Sequence, residues 1–246
     1  MLPGPEALLN IGLQLLELAG LSAIVALIRR RRIEFVPLGF AFLALVLGHL
    51  AIFTHPLGWL EHDLHARWNW DGKVLSILVT LLCVALFPSI SWRDAGFTWQ
   101  QNGGVRAALV AIGLMCAFEW LIVILHSVHA EIPPAETLLY QATLPGLNEE
   151  PLYRGLALLL IDRAFASEYR TIFGARLGWG AAITSIWFGL IHAVGIAHGH
   201  LAADPFVAAT VAVDGAILAW ILLRTRSLVF GIVGHNVLNL GSTFIE

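Results

Sequence analysis

Residues 105–125, VRAALVAIGLMCAFEWLIVIL, are the stretch that best shows what kind of fold this chain adopts. Only Arg106 and Glu119 carry a charge within it. An α-helix needs about 20 mostly apolar residues to cross the hydrocarbon core of a bilayer. The stretch therefore predicts a transmembrane helix.

The rest of the chain repeats this pattern. Of its 246 residues, 58% are apolar and 13% are charged, about half the charged share of a soluble domain. A soluble domain of this size cannot bury so much apolar surface, so we predict an all-α polytopic transmembrane helix bundle. The predicted helices, about eight spans in a single integral membrane domain over residues 1–246, lie at 7–28, 35–54, 74–91, 105–125, 147–164, 177–198, 205–223 and 228–244.

The charge distribution bears on partners and on orientation. The net charge is −3, which gives no support to binding of nucleic acid, whereas the lipid bilayer is an expected partner. Basic residues favour the cytoplasmic side of membrane proteins. On the opposite predicted side are only Arg67 and Lys73, so both termini are predicted to be non-cytoplasmic in a multi-pass protein of the cell membrane. Eleven arginines share the predicted cytoplasmic side: Arg29, Arg30, Arg31, Arg32, Arg93, Arg106, Arg163, Arg170, Arg176, Arg224 and Arg226.

Polar residues are concentrated in three of the predicted helices. Ionisable groups inside a membrane cost several kcal/mol and usually mark function. Glu119 and Asp214 are isolated acids in two other helices. The concentrated set comprises Asn148, Glu149, Glu150 and Arg154 in the fifth helix, Phe188 and His192 in the sixth, and His235, Asn236 and Asn239 in the eighth.

The fifth helix has its own start signals. The Pro-Gly pair at 145–146 indicates a break, Asn148 is a good N-cap, and Pro151 suits a first turn. We therefore expect the helix to start near Asn148, with both glutamates in its first turn, where the helix dipole favours carboxylates.

The two neighbouring glutamates differ in their predicted partners. Glu150 and Arg154 are four residues apart, in the favourable order for an ion pair on one helical face. Glu149 points about 100° away and has no partner nearby in sequence. Both acids can be interpreted simply as helix caps that hold Arg154. Because Glu149 has no such partner, a catalytic role is the favoured interpretation for it.

One acid, two imidazoles and one amide are sufficient for hydrolysis by water. A carboxylate or imidazole can act as base, and an imidazole and an amide can hold an oxyanion. Phe188 lies four residues before His192, and His235 lies four residues before Asn239, so each pair shares a helical face. A histidine in an apolar helix can also be a simple packing residue, and this interpretation stays open for each histidine taken alone.

Three motifs carry a family resemblance: EEPLYR at 149–154 matches EExxxR, FGLIH at 188–192 matches FxxxH, and HNVLN at 235–239 matches HxxxN. Their order, on three separate helices, resembles the CAAX prenyl protease and bacteriocin-processing (CPBP) family of intramembrane proteases. The family-like core covers about 147–244. The resemblance implies a glutamate-dependent protease that acts on a membrane-anchored or lipid-modified protein near its terminus.

The resemblance also implies roles for single residues. Glu149 would activate the water with His192 beside it, and His235 and Asn239 would hold the oxyanion. Supporting roles would fall to Glu150, Arg154 and Phe188, of which Phe188 would pack the site. No cofactor is expected. The cytosolic substrates of the family's prenyl-protein proteases argue for a cytoplasmic site, whereas the arginine distribution places it between mid-bilayer and the non-cytoplasmic face.

Other chemistries remain as alternatives. Zinc held by Glu149, His192 and His235 is geometrically possible, although no HExxH pattern is present. A serine protease lacks its GxSxG pattern. A proton-coupled transporter could use Glu119, Asp214, Glu149 and three histidines in a relay, but no inverted repeat is evident. A non-proteolytic scaffold or bacteriocin-immunity protein is the further alternative.

Overall fold

The computed structural model describes residues 3–29, 33–58, 66–126, 132–166 and 168–244. Its helices are α1 (Pro5–Arg29), α2 (Phe35–Ile52), α3 (Trp70–Leu86), α4 (Val105–His126), α5 (Ala135–Gln141), α6 (Leu144–Glu149), the π-helical segment π1 (Glu150–Ala157), α7 (Leu158–Ala164), α8 (Trp179–Ala193), α9 (Pro205–Thr225) and α10 (Val229–Thr243). Its strands are β1 (Arg170–Ile172), β2 (Ala175–Leu177), β3 (Val194–Ala197) and β4 (His200–Ala203).

The predicted all-α membrane bundle is confirmed. Within the described part of the chain, four helices are long and apolar enough to cross a membrane, namely α1, α2, α4 and α9. The helix α8 is apolar but shorter, with 15 residues. The number of about eight spans stays a prediction.

Two small antiparallel hairpins interrupt the helices. β1 pairs with β2, and β3 pairs with β4. The predicted helix 177–198 is therefore wrong at its end, because α8 stops at Ala193 and the chain continues into β3. The hairpin turns at His198 and Gly199, which have φ angles of 52° and 75°. Glycine adopts this left-handed region without steric cost, which favours a turn over continued helix.

The start of the fifth predicted helix also differs from expectation. The helix begins at Leu144, and Pro145 takes the first-turn position that we assigned to Pro151. Asn148 is completely buried inside α6 and is not an N-cap. Gly146 marks a close approach instead of a break, since a Cβ there would lie 2.6 Å from the carbonyl oxygen of Ile232 in α10.

α6, π1 and α7 run on without interruption from residue 144 to residue 164. Pro151 lies in π1, which is buried throughout. Proline lacks an N–H group, and its ring clashes with the carbonyl four residues earlier in a regular α-helix. The wider π turn is a rare form that occurs frequently at functional sites. Glu149 therefore ends α6 and Glu150 opens π1, so the placement of both in a first turn is wrong.

The apolar core surrounds this continuous helix. One cluster joins α1, α2 and α3 to π1, α7 and α8, with Leu18, Leu45, Leu152 and Trp187 fully buried. A second cluster joins α4, α9 and α10. π1 is thus held among the other helices, and the polar residues at its start lie inside the bundle.

Candidate active site

Glu149 is the centre of a polar cluster inside the bundle. Its Oε1 accepts a 2.7 Å hydrogen bond from Nζ of Lys73, which lies in the first turn of α3. The two side chains are only 14% and 13% exposed, so the ion pair is largely shielded from solvent. Its Oε2 is buried and has no hydrogen-bond partner among the described residues.

Two imidazoles face this unpartnered oxygen. The Nε2 atoms of His192 and His235 lie 3.9 Å and 3.8 Å from Oε2 of Glu149. Both distances exceed direct hydrogen-bond range, but they suit a bridging water. His192 is 39% exposed and His235 is 7% exposed, so the cluster opens to its surroundings beside His192.

The other ring nitrogens determine the tautomers. Nδ1 of His192 donates to the carbonyl oxygen of Phe188 at 2.7 Å, and Nδ1 of His235 donates to Oε1 of Glu150 at 2.8 Å. A carbonyl and a carboxylate only accept hydrogen bonds, so both Nδ1 atoms carry the proton. In the neutral rings, the Nε2 atoms that face Glu149 are therefore acceptors.

Glu150 and Arg154 form the ion pair that their spacing predicts. Nε of Arg154 lies 3.7 Å from Oε2 of Glu150, and both side chains are buried. The other oxygen of Glu150 holds His235, as described above. The second glutamate of the motif thus positions an imidazole, whereas the first glutamate faces it.

Comparison with known proteins agrees with this geometry. Residues 131–241 match the family model described as type II CAAX prenyl endopeptidase Rce1-like. Over these residues, called the CAAX protease segment below, the chain is similar to the CAAX protease family. The description names an endopeptidase, which makes peptidase activity the property of the family. No curated protein and no solved structure matches the chain.

Phe188 lies at the centre of this CAAX protease segment. Its ring is 4.0 Å from the guanidinium carbon of Arg154, 4.4 Å from the ring of His192 and 6.1 Å from that of His235. A cation over an aromatic face is attracted by the ring quadrupole. The phenylalanine of the FxxxH motif therefore packs between the cation and both imidazoles.

The two asparagines of α10 have different contacts. The side chain of Asn236 accepts from the backbone N–H of Gly146 at 2.7 Å and donates to the carbonyl oxygen of Thr143 at 3.0 Å, which fixes the start of α6. Asn239 lies one helical turn beyond His235, and its amide donates weakly to Oε1 of Gln141 at 3.4 Å. Its role in holding an oxyanion stays a prediction.

Two site residues come from outside the CAAX protease segment, and our sequence analysis did not identify either as functional. Lys73 contacts Glu149 directly. Behind the site, Nε2 of His49 in α2 and the hydroxyl group of Tyr153 form a 2.7 Å hydrogen bond. The available signal for Lys73 was that it is the only lysine in the sequence and lies in an apolar stretch. Nothing in the pattern around His49 distinguishes it from a packing histidine.

The isolated acids Glu119 and Asp214 lie on the neighbouring helices α4 and α9. Asp214 is buried and Glu119 is half-buried. Among the described residues, neither side chain forms a hydrogen bond with Glu149.

The cluster has one feature that suits a metal and one that does not. In zinc sites, a histidine typically ligates through one ring nitrogen while its other N–H binds a carbonyl or carboxylate, as both Nδ1 atoms do here. In contrast, the ammonium group of Lys73 already neutralises the Glu149 carboxylate. Among the described residues, no three His, Cys, Asp or Glu side chains are grouped in a way that could hold a metal ion.

Proposed function

We propose that the protein is a membrane endopeptidase in which Glu149 activates a water that hydrolyses a peptide bond. The observation that carries this proposal is the convergence of His192 Nε2 and His235 Nε2 on the unpartnered oxygen of Glu149. Three acceptor atoms around one point suit a water, which can donate a proton to Glu149 and a second proton to an imidazole. Its oxygen lone pairs are then directed away from the acceptors.

The reaction follows from these positions. As the water oxygen attacks the carbonyl carbon, its proton passes to Glu149, and a tetrahedral oxyanion forms. Glu149 then returns the proton to the leaving nitrogen as the C–N bond breaks, which yields a carboxylic acid and an amine. General base catalysis of this kind contributes roughly 10²–10⁴ in rate.

The oxyanion would be held by His235 and Asn239. The hydrogen bond from Nδ1–H of His235 to the Glu150 carboxylate orients the ring, and its Nε2 would donate to the oxyanion in the protonated form of the ring. Asn239 would exchange its 3.4 Å contact with Gln141 for the oxyanion. Removing one such donor typically costs about 10²–10³ in kcat.

The substrate would be a membrane-anchored or lipid-modified protein cut near its terminus. The matched family description supports this class, since a CAAX prenyl endopeptidase acts on such a terminus. The partly exposed His192 marks the side from which the peptide would enter. The apolar helices around the cluster support a cut within the bilayer.

Replacement of Glu149 by glutamine tests the mechanism. Because glutamine keeps the shape but cannot accept the proton, we expect Glu149→Gln to fold and to lose cleavage of a prenylated peptide by about 10²–10⁴. Glu119→Gln is the matched control, since it changes a half-buried acid outside the cluster and should retain cleavage. Wild-type turnover in Glu149→Gln would reject the mechanism. A loss in Glu119→Gln of the same size would show that the effect is not specific to the cluster around Glu149.

A zinc enzyme is the second candidate, favoured by the acceptor-bonded Nδ1 atoms of both histidines. We propose that the reaction needs no metal, because Lys73 supplies the positive charge beside Glu149. Cleavage should therefore survive strong chelators, and the purified protein should lack stoichiometric zinc. About one tightly held zinc per active chain by elemental analysis would replace the water-only mechanism with a zinc mechanism.

The proposed orientation has both termini outside the cytoplasm of the cell membrane. Lys73 and Arg67 belong to the end opposite the arginine-rich loops, and Ala135 at the start of α5 is exposed. We expect a cysteine at Ala135 to react with a membrane-impermeant maleimide in intact cells. Labelling only after the cells are permeabilised would invert the topology.

A further inference from the structure

A cavity separate from the polar cluster around Glu149 lies at the arginine-rich end of the bundle. Its volume is about 420 Å³, which is within the range of small-molecule sites. It lies among the loop after α3, the helix π1–α7, the strand β2 and the end of α9. Five arginines and two aspartates contribute to its lining: Arg93, Arg154, Arg163, Arg176, Arg226, Asp94 and Asp162.

The arginines occupy different depths. Arg93, Arg176 and Arg226 are exposed at the mouth. Arg163, on the wall, is half-buried and pairs with Asp94 at 3.6 Å. Arg154 is 0% exposed, and its Nη1 and Nη2 have no hydrogen-bond partner among the described residues.

The aspartates leave much of this positive charge unbalanced. Asp94 pairs with Arg163, and Asp162 accepts a 2.6 Å hydrogen bond from the backbone N–H of Gly180. Like charges that line one cavity repel each other, and buried donors without acceptors are destabilising. An anion with several oxygens would relieve both costs.

We propose that this cavity binds a phosphate group that carries an organic substituent. The planar fork of arginine matches phosphate oxygens in two parallel hydrogen bonds. The remaining lining includes Leu158, Leu159, Leu222 and Leu223, which would contact the apolar part of the ligand. The phosphate comes from either a phospholipid headgroup or a soluble phosphate compound.

The position of the cavity suits both sources. It lies where α7 and α9 end, at the level where helices leave the hydrocarbon core, and its mouth is open to solvent. At the bottom of the cavity, Arg154 belongs to both the cavity and the ion pair with Glu150. A bound phosphate would therefore pair with the free edge of the same guanidinium group.

Thermal unfolding of the full chain in neutral detergent tests this proposal. The probes are inorganic pyrophosphate and vesicles of phosphatidylglycerol, with phosphatidylcholine vesicles as the reference. The test variant is Arg176→Gln with Arg226→Gln, and the matched control is Arg106→Gln with Arg170→Gln, which removes the same charge at the same end but outside the cavity.

We expect the melting temperatures of wild type and control to rise by several degrees with one of the probes. The test variant should bind that probe roughly tenfold more weakly, because it loses a charge-assisted hydrogen bond. A response to phosphatidylglycerol alone assigns the site to a lipid headgroup, and a response to pyrophosphate alone assigns it to a soluble phosphate. If the test variant folds poorly without any probe, Arg93→Gln at the mouth replaces it. Equal responses of control and cavity variants to both probes would overturn the proposal.

Discussion

Two regions of the chain contribute to the same site in different ways. The earlier region comprises the described residues before position 127, and the later region is the CAAX protease segment at 131–241. The later segment supplies Glu149, His192 and His235, each within a recognisable motif. The earlier region supplies Lys73, which lies in no motif and yet makes the shortest contact with Glu149. A family match can thus include the residues that we propose to react and still omit the cation that neutralises Glu149.

The earlier region also determines the shape of the site. α2 packs so closely on π1 that a Cβ at Gly48 would lie 2.8 Å from Cδ2 of Leu152. His49 beside it holds the hydroxyl group of Tyr153 and stacks on Trp187 at 5.8 Å. Residues whose sequence shows only hydrophobicity therefore act as the wall against which the motif helix is positioned.

The largest expected effect lies within the CAAX protease segment. Glu150→Ala or Arg154→Ala leaves one uncompensated buried charge, which should lower the free energy of unfolding by about 3–5 kcal/mol. Detergent-solubilised melting measures this loss, with Arg170→Ala on the exposed strand β1 as control. Unchanged melting in both pair variants would show that the pair contributes nothing to stability.

Lys73 tests whether the earlier region contributes chemistry as well as shape. Loss of its charge-assisted hydrogen bond should cost about 1.5–3 kcal/mol of transition-state stabilisation, or roughly 10–100-fold in kcat for Lys73→Met. Lys73→Arg should recover part of the rate because it keeps the charge. Arg67→Met, which removes a cation from the same end, serves as control. Full activity in Lys73→Met would limit this region to packing.

Two glycines, one from each region, sharpen the comparison of packing. A Cβ at Gly146 would meet the carbonyl of Ile232 and the amide of Asn236, so Gly146→Ala should destabilise by about 1–3 kcal/mol. At Gly113 of α4 a Cβ meets nothing within 4 Å, and Gly113→Ala should stabilise by about 0.5–1 kcal/mol. Chemical denaturation in detergent compares the two, and equal effects would contradict this difference.

The smallest expected effect concerns a contact that joins the two regions outside the predicted spans. Burial raises the pKa of Glu136, but hydrogen bonds from Trp70 Nε1 and from the backbone N–H groups of Arg67 and Trp68 together outweigh burial, so the pKa is lowered. A lowered folded-state pKa gives stability that is present above the unfolded pKa and is lost as the pH falls. The melting temperature should therefore decline less steeply below about pH 5 in Glu136→Gln than in wild type. Identical acid profiles would show that the contact does not stabilise the fold.

Sequence alone predicted the bundle and the residues that converge on Glu149. The helical period predicted that Glu150 and Arg154 share one helical face, and the motifs identified His192 and His235. Both signals are local in sequence. Lys73 was not predicted, because its partner is 76 residues away and only tertiary packing brings them together.

The errors have similarly physical causes. The helix was expected to start at Asn148 because that residue is a good N-cap, but Pro145 begins it earlier and Asn148 is buried. The end of the sixth predicted helix was placed at His198 because the stretch stays apolar, yet Gly195 and Gly199 favour the hairpin. Apolar composition predicts burial in the membrane and does not distinguish a helix from a short strand.

The π-helical turn has a consequence for which changes of chain length the protein tolerates. An α-helix advances about 100° per residue, so one extra residue in a wide turn changes the angular phase between the helix before it and the helix after it. Deleting one residue within Glu150–Ala157 would shorten this wide turn and rotate Glu149 by about that angle relative to the buried face of α7. The carboxylate would then point away from both imidazoles. The length of this segment, and not only its residue identities, is therefore part of the site.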